Sequence, residues 1–371
     1  MKQFCIKPTI TIMDSAKEFC EQFQIGKNDL VFVSERTYQR FFQGYTGEAV
    51  IVNYRKYGKG EPTDLMAEGI YQDVKDVAYN RVIAIGGGTI LDVAKLFALK
   101  NINPIVDLYD KKLEIEKSKK LVLVPTTCGT GSEMTNISIL ELTAKNTKMG
   151  LAVDELYADD AVLIPELLDD LPMSVFATSS IDALIHSIES YTSPKANAFT
   201  QTFSVKAMRM ILETYLALVK EGADSRKKYM KTMLLASNYA GIAFGNAGCA
   251  AVHAMSYPLG AKYHVPHGEA NYAMFTGVYE AYMELNPDGS ISKLNEILAD
   301  VLKCNTKDVY QELESLLNYM IKKKALHEYG VTKQDLKEFT DVVMTKQGRL
   351  MANNYAELNS EKVMKIYEKL F

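Results

Sequence analysis

The chain has 371 residues, of which 47% are hydrophobic and 24% are charged, and its formal net charge is −4. This length exceeds one ordinary hydrophobic core, so we expect two domains, and the composition is that of a globular protein. The 42 basic and 46 acidic residues are nearly balanced and form no long basic run, which argues against a nucleic-acid partner.

The N-terminal segment and the cysteines together suggest a cytoplasmic protein. The opening stretch MKQFCIKPTITIMDSAKEF is interrupted by charges, so it predicts neither a signal peptide nor a membrane span. The five cysteines lack CxxC spacing, which is typical of reduced thiols packed as small hydrophobic side chains. We therefore expect neither a disulfide framework nor a thiolate metal site.

Short β-rich runs alternate with helical patterns in the first part of the chain. This alternation predicts a parallel sheet covered by helices, the arrangement of α/β proteins. The stretch NISILELTAKNTKMGLAV, residues 136–153, predicts an inserted β-hairpin. The runs that predict parallel strands are DLVFVS (29–34), EAVIVNY (48–54), RVIAIGGG (81–88), KLVLVPTT (120–127) and AVLIP (161–165).

Helical periodicity replaces the β-rich runs after residue 172. It is clearest in SIDALIHSIESY, FSVKAMRMILETYLALVK and KVMKIYEKLF. The sequence therefore predicts a dinucleotide-binding α/β domain over residues 1–171 and an all-helical metal-binding and substrate domain over residues 172–371.

The stretch RVIAIGGGTILDVAK places three glycines between a predicted strand and a helix that begins near Thr89. Glycine lets the backbone approach a phosphate closely, and a helix N-terminus offers free N–H groups and a favourable dipole. This pattern is not GxGxxG, and a tight turn alone can require such glycines. It nevertheless predicts a cradle for a diphosphate.

A second loop, VPTTCGTGSEMTN, also follows a predicted strand. Its hydroxyl groups, on Thr126, Thr127, Thr130 and Ser132, can bind phosphate and ribose, although such a loop can also simply cap its own helix. Two loops of this kind at one sheet edge favour a nucleotide site.

The end of the first predicted strand bears on which nucleotide binds. Glu35 follows Ser34 there, and an acidic side chain can accept hydrogen bonds from a ribose diol while repelling a 2′-phosphate. This favours NAD over NADP. Two alternatives stay open, because Arg36 could bind a phosphate and a glutamate at a helix start can simply interact with the helix dipole.

Acidic and histidine side chains in the second half predict a metal site. Asp182 and His186 are four residues apart on a predicted helix, so both project from one face, and Ser179 or Ser180 is a suitable N-cap. Alone, such a pair is often a surface hydrogen bond. His253 lies in a run of small residues that predicts a buried helix, where an unpartnered imidazole is costly, and His267 is predicted to lie in a loop after Pro266.

One carboxylate and three imidazoles form a four-ligand set for a divalent first-row ion, with room for a substrate oxygen. Fe²⁺, Zn²⁺ and Mn²⁺ all tolerate this set.

These residues and the two loops carry a resemblance to a known family. The stretches GGGTILDVAK, PTTCGTGSE, SSIDALIHSIESY and HAMSYPLGAKYHVPHGEAN resemble, in order and spacing, the motifs of the iron-dependent (group III) alcohol dehydrogenases, over residues 25–280.

The resemblance implies site residues, cofactors and architecture. It implies NAD and a divalent metal, with Fe²⁺ first and Zn²⁺ or Mn²⁺ as alternatives, bound by Asp182, His186, His253 and His267. It further implies a Rossmann-like first domain, a helical second domain, a cleft between them, and a homodimer or larger homo-oligomer. The implied nucleotide contacts are Gly87, Gly88, Thr89, Asp92, Thr126, Thr127, Thr130 and Ser132, with Lys148 and Glu35 less secure.

Within this family the chain most resembles the enzymes that act on 4-hydroxybutyrate. The metal would lower the pKa of the alcohol, and a hydride would pass from carbon to the nicotinamide. Where many family members carry a further histidine, this chain has Tyr257, whose phenol is a poorer proton shuttle at neutral pH. We expect Tyr257, Lys262 or His264 to meet the substrate carboxylate, although Lys262 can equally be a solvated cation at a helix end.

Two rival functions share much of this pattern. A dehydrogenase for a neutral alcohol or diol, such as butanol or 1,3-propanediol, would carry the same motifs and differ in its pocket. A cyclase of the dehydroquinate synthase type would need several cations around a substrate phosphate, and few lie near the metal motifs. A binding module without catalysis is the least favoured, since it has no use for four ligands at an open site.

Overall fold

A computed structural model describes residues 3–58, 60–145 and 147–371. Contacts along the chain define two compact units. The α/β unit is Ile6–Leu171, and the helical unit is Pro172–Phe371 together with the N-terminal segment up to Cys5.

The α/β unit contains a parallel sheet with the strand order β1-β8-β5-β4-β2-β3. Its strands are β1 (Thr9–Ile12), β2 (Asp29–Val33), β3 (Val50–Asn53), β4 (Arg81–Gly86), β5 (Lys120–Pro125) and β8 (Asp160–Leu163). Its helices are α1 (Ala16–Phe23), α2 (Glu35–Thr37), α3 (Asp64–Val74), α4 (Gly88–Leu96) and α5 (Ile105–Tyr109). The predicted α/β class and parallel sheet are confirmed.

Strand β1 was not predicted from the sequence. It lies at one edge of the sheet, and most of its residues are exposed. An edge strand of this kind lacks the continuous apolar run that marks buried parallel strands such as β4 and β5. The predicted hairpin is present as β6 (Ile137–Leu142) and β7 (Thr147–Ala152), which pair antiparallel.

The helical unit is organised around a buried helix, α6 (Met173–Thr192), which packs against α7, α8 and α10. Every residue from Ser180 to Thr192 is buried, although several are polar. Buried polar groups require partners, so this helix is where a site is expected. The other helices are α7 (Ala198–Glu221), α8 (Met230–Ala247), α9 (Ala251–Tyr263), α10 (His267–Leu285), α11 (Ser290–Leu302), α12 (Val309–Met320), α13 (Lys333–Lys346), α14 (Gly348–Met351) and α15 (Ser360–Leu370).

Two local predictions in this unit were wrong. Helix α6 begins after Pro172 rather than at a serine cap, and Ser180 lies inside it, where its hydroxyl donates to the Phe176 carbonyl at 2.7 Å. A serine can satisfy its hydroxyl this way within a helix, so its presence does not mark a helix start. His267 is the first residue of α10 rather than a loop residue, because Pro266 precedes that helix as its N-cap. Among the described residues, no helix is long and apolar enough to cross a membrane.

Candidate functional site

Three helices bring together the four residues predicted to bind a metal. Asp182 and His186 project from α6, His253 from α9, and His267 from the start of α10. The Oδ1 atom of Asp182 lies 3.9 Å from Nε2 of His186, 3.6 Å from Nε2 of His253 and 3.7 Å from Nε2 of His267. Three of these side chains are buried, and the fourth, His267, is 29% exposed. The cluster therefore opens on the side of His267.

The donor set fits a divalent cation. The buried Nε2 of His253 makes no hydrogen bond with any described residue, and its 3.6 Å distance from Asp182 exceeds ordinary hydrogen-bond length. Ligands about 2.0–2.2 Å from one ion are separated by such distances. Cys249 adds a further potential donor, because its sulfur lies within 4.8 Å of donor atoms of His186 and His253.

A buried glutamate orients His253 from the same helix that carries Asp182. Glu189 Oε2 lies 2.5 Å from Nδ1 of His253, and its other oxygen accepts the backbone N–H of Val252 at 2.8 Å. A carboxylate on Nδ1 leaves Nε2 to face the cluster, as in carboxylate–histidine–metal arrangements. Glu189 was not among the residues predicted from the sequence. The available signal was its spacing, because residues 182, 186 and 189 form one stripe on a helix.

Asn271 orients the aspartate in a similar way. Its amide nitrogen donates to Asp182 Oδ1 at 2.8 Å and lies 3.2 Å from Nε2 of His267. The Ser256 hydroxyl donates in turn to Asn271 Oδ1 at 2.5 Å. Asn271 is four residues after His267, so both lie on one face of α10. This amide, also missed, ties together ligands from two helices.

Close packing sets the positions of the histidine rings. Phe244 stacks on His186 with ring centroids 4.1 Å apart, and His186 stacks on His253 at 4.6 Å. A Cβ at Gly268 would lie 1.9 Å from the carbonyl oxygen of Thr178, so only glycine permits this approach of α10 to α6. The approach carries His267 to the cluster.

The charges of the cluster perturb its titration. Burial raises the pKa of Asp182, but the attraction of His186, His267 and His253 outweighs burial and holds that pKa well below its usual value. Burial lowers the pKa of His253, and the neighbouring Cys249 and Glu189 raise it well above its ordinary value. The aspartate therefore stays ionised and ready to bind a cation.

The structure brings one of the three residues predicted to meet substrate to this cluster. Tyr257 lies one turn after His253, and its ring centroid is 5.9 Å from that of His267. Burial raises the pKa of Tyr257 to about 12, so its hydroxyl keeps its proton at neutral pH.

Lys262 pairs with acidic residues outside the cluster, and His264 lies at the end of α9. Lys262 Nζ lies 2.6 Å from Asp335 Oδ1 and 2.6 Å from Glu338 Oε2. Nine residues after His253, it falls about half a turn around the helix, on the opposite face. His264 is exposed and ends α9 in the left-handed conformation, with φ of 53°. The ion pairs of Lys262 do not support its assignment to the substrate, and the assignment of His264 stays a prediction.

The glycine loop lies at the carboxyl edge of the parallel sheet. Strand β4 ends at Gly86, Gly87 is the extended N-cap of α4, and Gly88 begins the helix. The neighbouring strand β5 leads into the second loop, and a Cβ at Gly88 would lie 2.7 Å from the Thr130 methyl carbon. A Cβ at Gly87 would meet Thr127 at 3.4 Å. The two predicted loops are therefore adjacent, and a Cβ at Gly88 would clash where they touch.

Two predicted nucleotide contacts are used inside the protein. The Ser132 hydroxyl donates to Asp92 Oδ1 at 2.5 Å, and Asp92 Oδ2 accepts the backbone N–H of Ile139 at 3.0 Å. The fully buried Lys95 donates to Ser132 Oγ at 2.7 Å and to the Ile137 carbonyl at 2.7 Å. This network joins α4 to the second loop, so Asp92 and Ser132 support the loops rather than face open space. Lys95 was not predicted from the sequence.

The remaining predicted contacts lie near this edge with protein partners of their own. The Thr89 hydroxyl donates to the Gly60 carbonyl at 2.9 Å, and Lys148 Nζ lies 3.5 Å from Glu61 Oε2. Thr126, which is half-buried, donates its backbone N–H to the Gly86 carbonyl at 3.0 Å.

Glu35 is exposed directly after β2, the strand beside β4. Its carboxylate accepts weak hydrogen bonds from Asn53 at 3.4 Å and Gln39 at 3.3 Å. The adjacent Arg36 faces Asp170 at 3.6 Å, so its charge is partly balanced within the unit. This leaves Glu35 as the acidic group at the end of β2.

A parallel α/β unit with glycine and hydroxyl loops, and a helical unit with an aspartate–histidine cluster, define the class of metal-containing dehydrogenases. Comparison with known proteins agrees. Residues 10–165 match the model of the iron-containing alcohol dehydrogenases, and residues 176–371 match the C-terminal model of the Fe-containing alcohol dehydrogenase family. The chain belongs to the iron-containing alcohol dehydrogenase family.

Individual relatives cover most or all of the chain. It is 46% identical over 371 residues to a 4-hydroxybutyrate dehydrogenase of Clostridium kluyveri, with 100% of both chains covered. It is 34% identical over 313 residues to long-chain-alcohol dehydrogenase 1 of Geobacillus thermodenitrificans, covering 80% of this chain and 76% of that protein. The fold matches the sulfoacetaldehyde reductase of Bifidobacterium kashiwanohense, solved in complex with NAD⁺, with a TM-score of 0.84, 20% identity and coverage of 100% and 98%.

Proposed function

We propose that this protein is an NAD-dependent, metal-dependent dehydrogenase that interconverts 4-hydroxybutyrate and succinate semialdehyde by hydride transfer. The observation that carries this proposal is the 46% identity over the full length of both chains to the Clostridium kluyveri 4-hydroxybutyrate dehydrogenase. Both units match models of the iron-containing alcohol dehydrogenase family, which favours a dehydrogenase over a dehydroquinate synthase-like cyclase.

Asp182, His186, His253 and His267 are the residues that would hold the metal, with Fe²⁺ first and Zn²⁺ or Mn²⁺ as alternatives. A bound divalent cation supplies Lewis acidity, which lowers the pKa of an alcohol and polarises an aldehyde carbonyl. The buried, unpaired Nε2 of His253 and the ionised Asp182 support this assignment. The exposed side of His267 is where a substrate oxygen can enter.

The residues around the four candidate ligands orient the ligand side chains and hold protons on specific atoms. The Glu189 carboxylate accepts a hydrogen bond from the Nδ1–H group of His253, and this orients Nε2 toward the cluster. Asn271 donates to Asp182 and fixes its carboxylate. Tyr257 keeps its hydroxyl proton at neutral pH, so it can donate a hydrogen bond to a substrate oxygen.

The two loops of the α/β unit are the proposed site for NAD. The N-terminus of α4, with Gly87 and Gly88, offers backbone N–H groups to the diphosphate. The hydroxyls of Thr127 and Thr130 lie beside these glycines and can bind phosphate or ribose. Glu35 would accept hydrogen bonds from the ribose diol, which favours NAD over NADP.

A dehydrogenase for a neutral alcohol stays the second candidate, because a long-chain-alcohol dehydrogenase is 34% identical over 80% of this chain. The test uses protein purified without oxygen and loaded with Fe²⁺. Reduction of NAD and of NADP is followed with 4-hydroxybutyrate, 1-butanol and 1,3-propanediol. We expect the highest kcat/KM with 4-hydroxybutyrate and NAD. Higher values with either neutral alcohol would reject the hydroxy acid in favour of the second candidate.

We also propose that the protein forms a homodimer or larger homo-oligomer and acts in the cytoplasm. The resemblance to its family supports the first statement, and the free cysteines, which are typical of a reducing compartment, support the second. Sedimentation of the purified protein and fractionation of cells that express it test the two statements separately.

A further inference from the structure

The substrate proposed above carries a carboxylate that must be paired or hydrogen-bonded when it leaves water. The helices that bear the four candidate ligands supply little positive charge. Helices α6 and α10 contain neither lysine nor arginine, and the one such residue of α9 is Lys262. Because Lys262 is engaged by Asp335 and Glu338, the candidate cations for the substrate include those on the segments packed against these helices.

Helix α14 is such a segment. It packs against α9, the helix that carries His253 and Tyr257, and it presents one cation, Arg349. The Arg349 side chain is exposed, and no carboxylate of the described residues lies within ion-pair distance of it. An arginine with its charge uncompensated on a helix beside the cluster is available to an anionic ligand.

The end of this segment is anchored close to the metal cluster. Asn353 donates its side-chain amide to the carbonyls of Ala247 at 2.8 Å and Cys249 at 3.2 Å. A Cβ at Gly248 would lie 2.9 Å from the same amide, which shows how closely the two segments approach. Cys249 in turn has its sulfur within 4.8 Å of donor atoms of His186 and His253. The segment that follows Arg349 is therefore held close to Cys249 and the cluster.

Tyr257 lies on α9, one turn after His253, and its ring centroid is 5.9 Å from that of His267. Arg349 lies on the helix that packs against α9, so it is a candidate for the carboxylate end of a substrate whose hydroxyl end meets the cluster.

We propose that Arg349 binds the carboxylate of the hydroxy acid and selects it over neutral alcohols of the same length. This inference rests on the proposed function. A guanidinium can bind a carboxylate through two parallel N–H···O hydrogen bonds, which fixes the orientation of the chain as well as its charge. The methylene carbons between the two ends would then hold the carbinol carbon toward the cluster.

The test compares Arg349→Met and Arg349→Lys in the Fe²⁺-loaded, full-length enzyme. The readout is the ratio of kcat/KM for 4-hydroxybutyrate to that for 1-butanol. We expect Arg349→Met to lower this ratio about 10- to 100-fold, the range for losing a hydrogen bond to a charged group, and Arg349→Lys to restore part of it. Lys346→Met, which removes an exposed cation three residues earlier, should leave the ratio unchanged. A ratio in Arg349→Met equal to that of the wild type would overturn the inference.

A second measurement separates this inference from the proposed function. Butyrate carries the carboxylate without the hydroxyl, so its inhibition constant against 1-butanol oxidation reports carboxylate binding alone. We expect butyrate to inhibit the wild type more strongly than butyramide and to lose that advantage in Arg349→Met. If the wild type prefers butanol yet shows this loss, the proposed function fails and the role of Arg349 stands. If Arg349→Met melts at a lower temperature than the wild type, the Lys variant carries the comparison.

Discussion

The helical unit and the α/β unit build their candidate sites by different means. In the helical unit, side-chain atoms converge, and Asp182 Oδ1 lies within 3.9 Å of three imidazole nitrogens. In the α/β unit, Gly87 and Gly88 offer backbone N–H groups, while nearby polar side chains such as Asp92 and Ser132 bind one another. Substitutions should therefore remove metal ligands in the helical unit and change the conformation of the loops in the α/β unit.

The largest effect is expected from removing one converging donor. His253→Ala should remove metal binding and lower kcat by about 1,000-fold, because several kcal/mol of Lewis-acid stabilisation correspond to a factor of that order. Metal content measured after gel filtration and kcat with 4-hydroxybutyrate are the two readouts. The control is His264→Asn, which changes the exposed histidine that caps the end of α9 while keeping a residue that tolerates its positive φ. If His253→Ala kept a full complement of metal, the four-ligand assignment would be wrong.

The α/β unit should respond to its buried lysine through stability. Lys95 donates to Ser132 and Thr135 and lies 3.5 Å from Asp92, and burial lowers the pKa of its ammonium group. Lys95→Met would leave the Asp92 carboxylate without its buried cation, at a cost of about 3 kcal/mol.

Chemical denaturation measures this loss, and the dissociation constant of NADH measures whether the second loop has moved. Lys100→Met, on an exposed ion pair with Glu116, is the matched control and should change stability little. A weaker NADH complex without any loss of stability would mean that Lys95 acts on the nucleotide rather than on the loops.

A smaller effect is expected from Glu189, which does not bind the metal directly. Glu189→Gln keeps an acceptor for the Val252 N–H but removes the charge that holds the Nδ1 proton of His253. Loss of such a partner typically lowers metal affinity or activity about 10- to 100-fold. Titration of the metal-free protein with Fe²⁺ or Zn²⁺ gives the affinity, and Glu213→Gln on the exposed face of α7 is the control. An unchanged affinity would reduce Glu189 to a packing role.

These expectations show which parts of the site are predictable from sequence. Asp182 and His186 could be found because spacing on one helix and ligand chemistry restrict the choice to few residues. Glu189 and Asn271 could not, since carboxylates and amides are common and their role depends on how α9 and α10 pack on α6. The strands of the sheet core were predictable from their apolar runs, whereas edge strand β1 was not. The internal hydrogen bonds of Asp92 and Ser132 could not be foreseen, because a polar loop residue looks the same in sequence whether it faces a ligand or its own protein.

The smallest effect is expected from replacing Lys262. This variant tests whether the substrate carboxylate depends on Arg349 rather than on the cation of α9. Lys262 is 41% exposed on the side chain and lies 2.6 Å from both Asp335 and Glu338, so solvent screens much of its attraction. Lys262→Met should therefore cost no more than about 1 kcal/mol of stability. Because its ammonium points away from the cluster, the KM for 4-hydroxybutyrate should stay at the wild-type value, while Arg349→Met raises it. If Lys262→Met raised the KM for 4-hydroxybutyrate but not that for 1-butanol, Lys262 would bind the substrate carboxylate. Helix α9 would then have to present the face that carries Lys262 to the cluster.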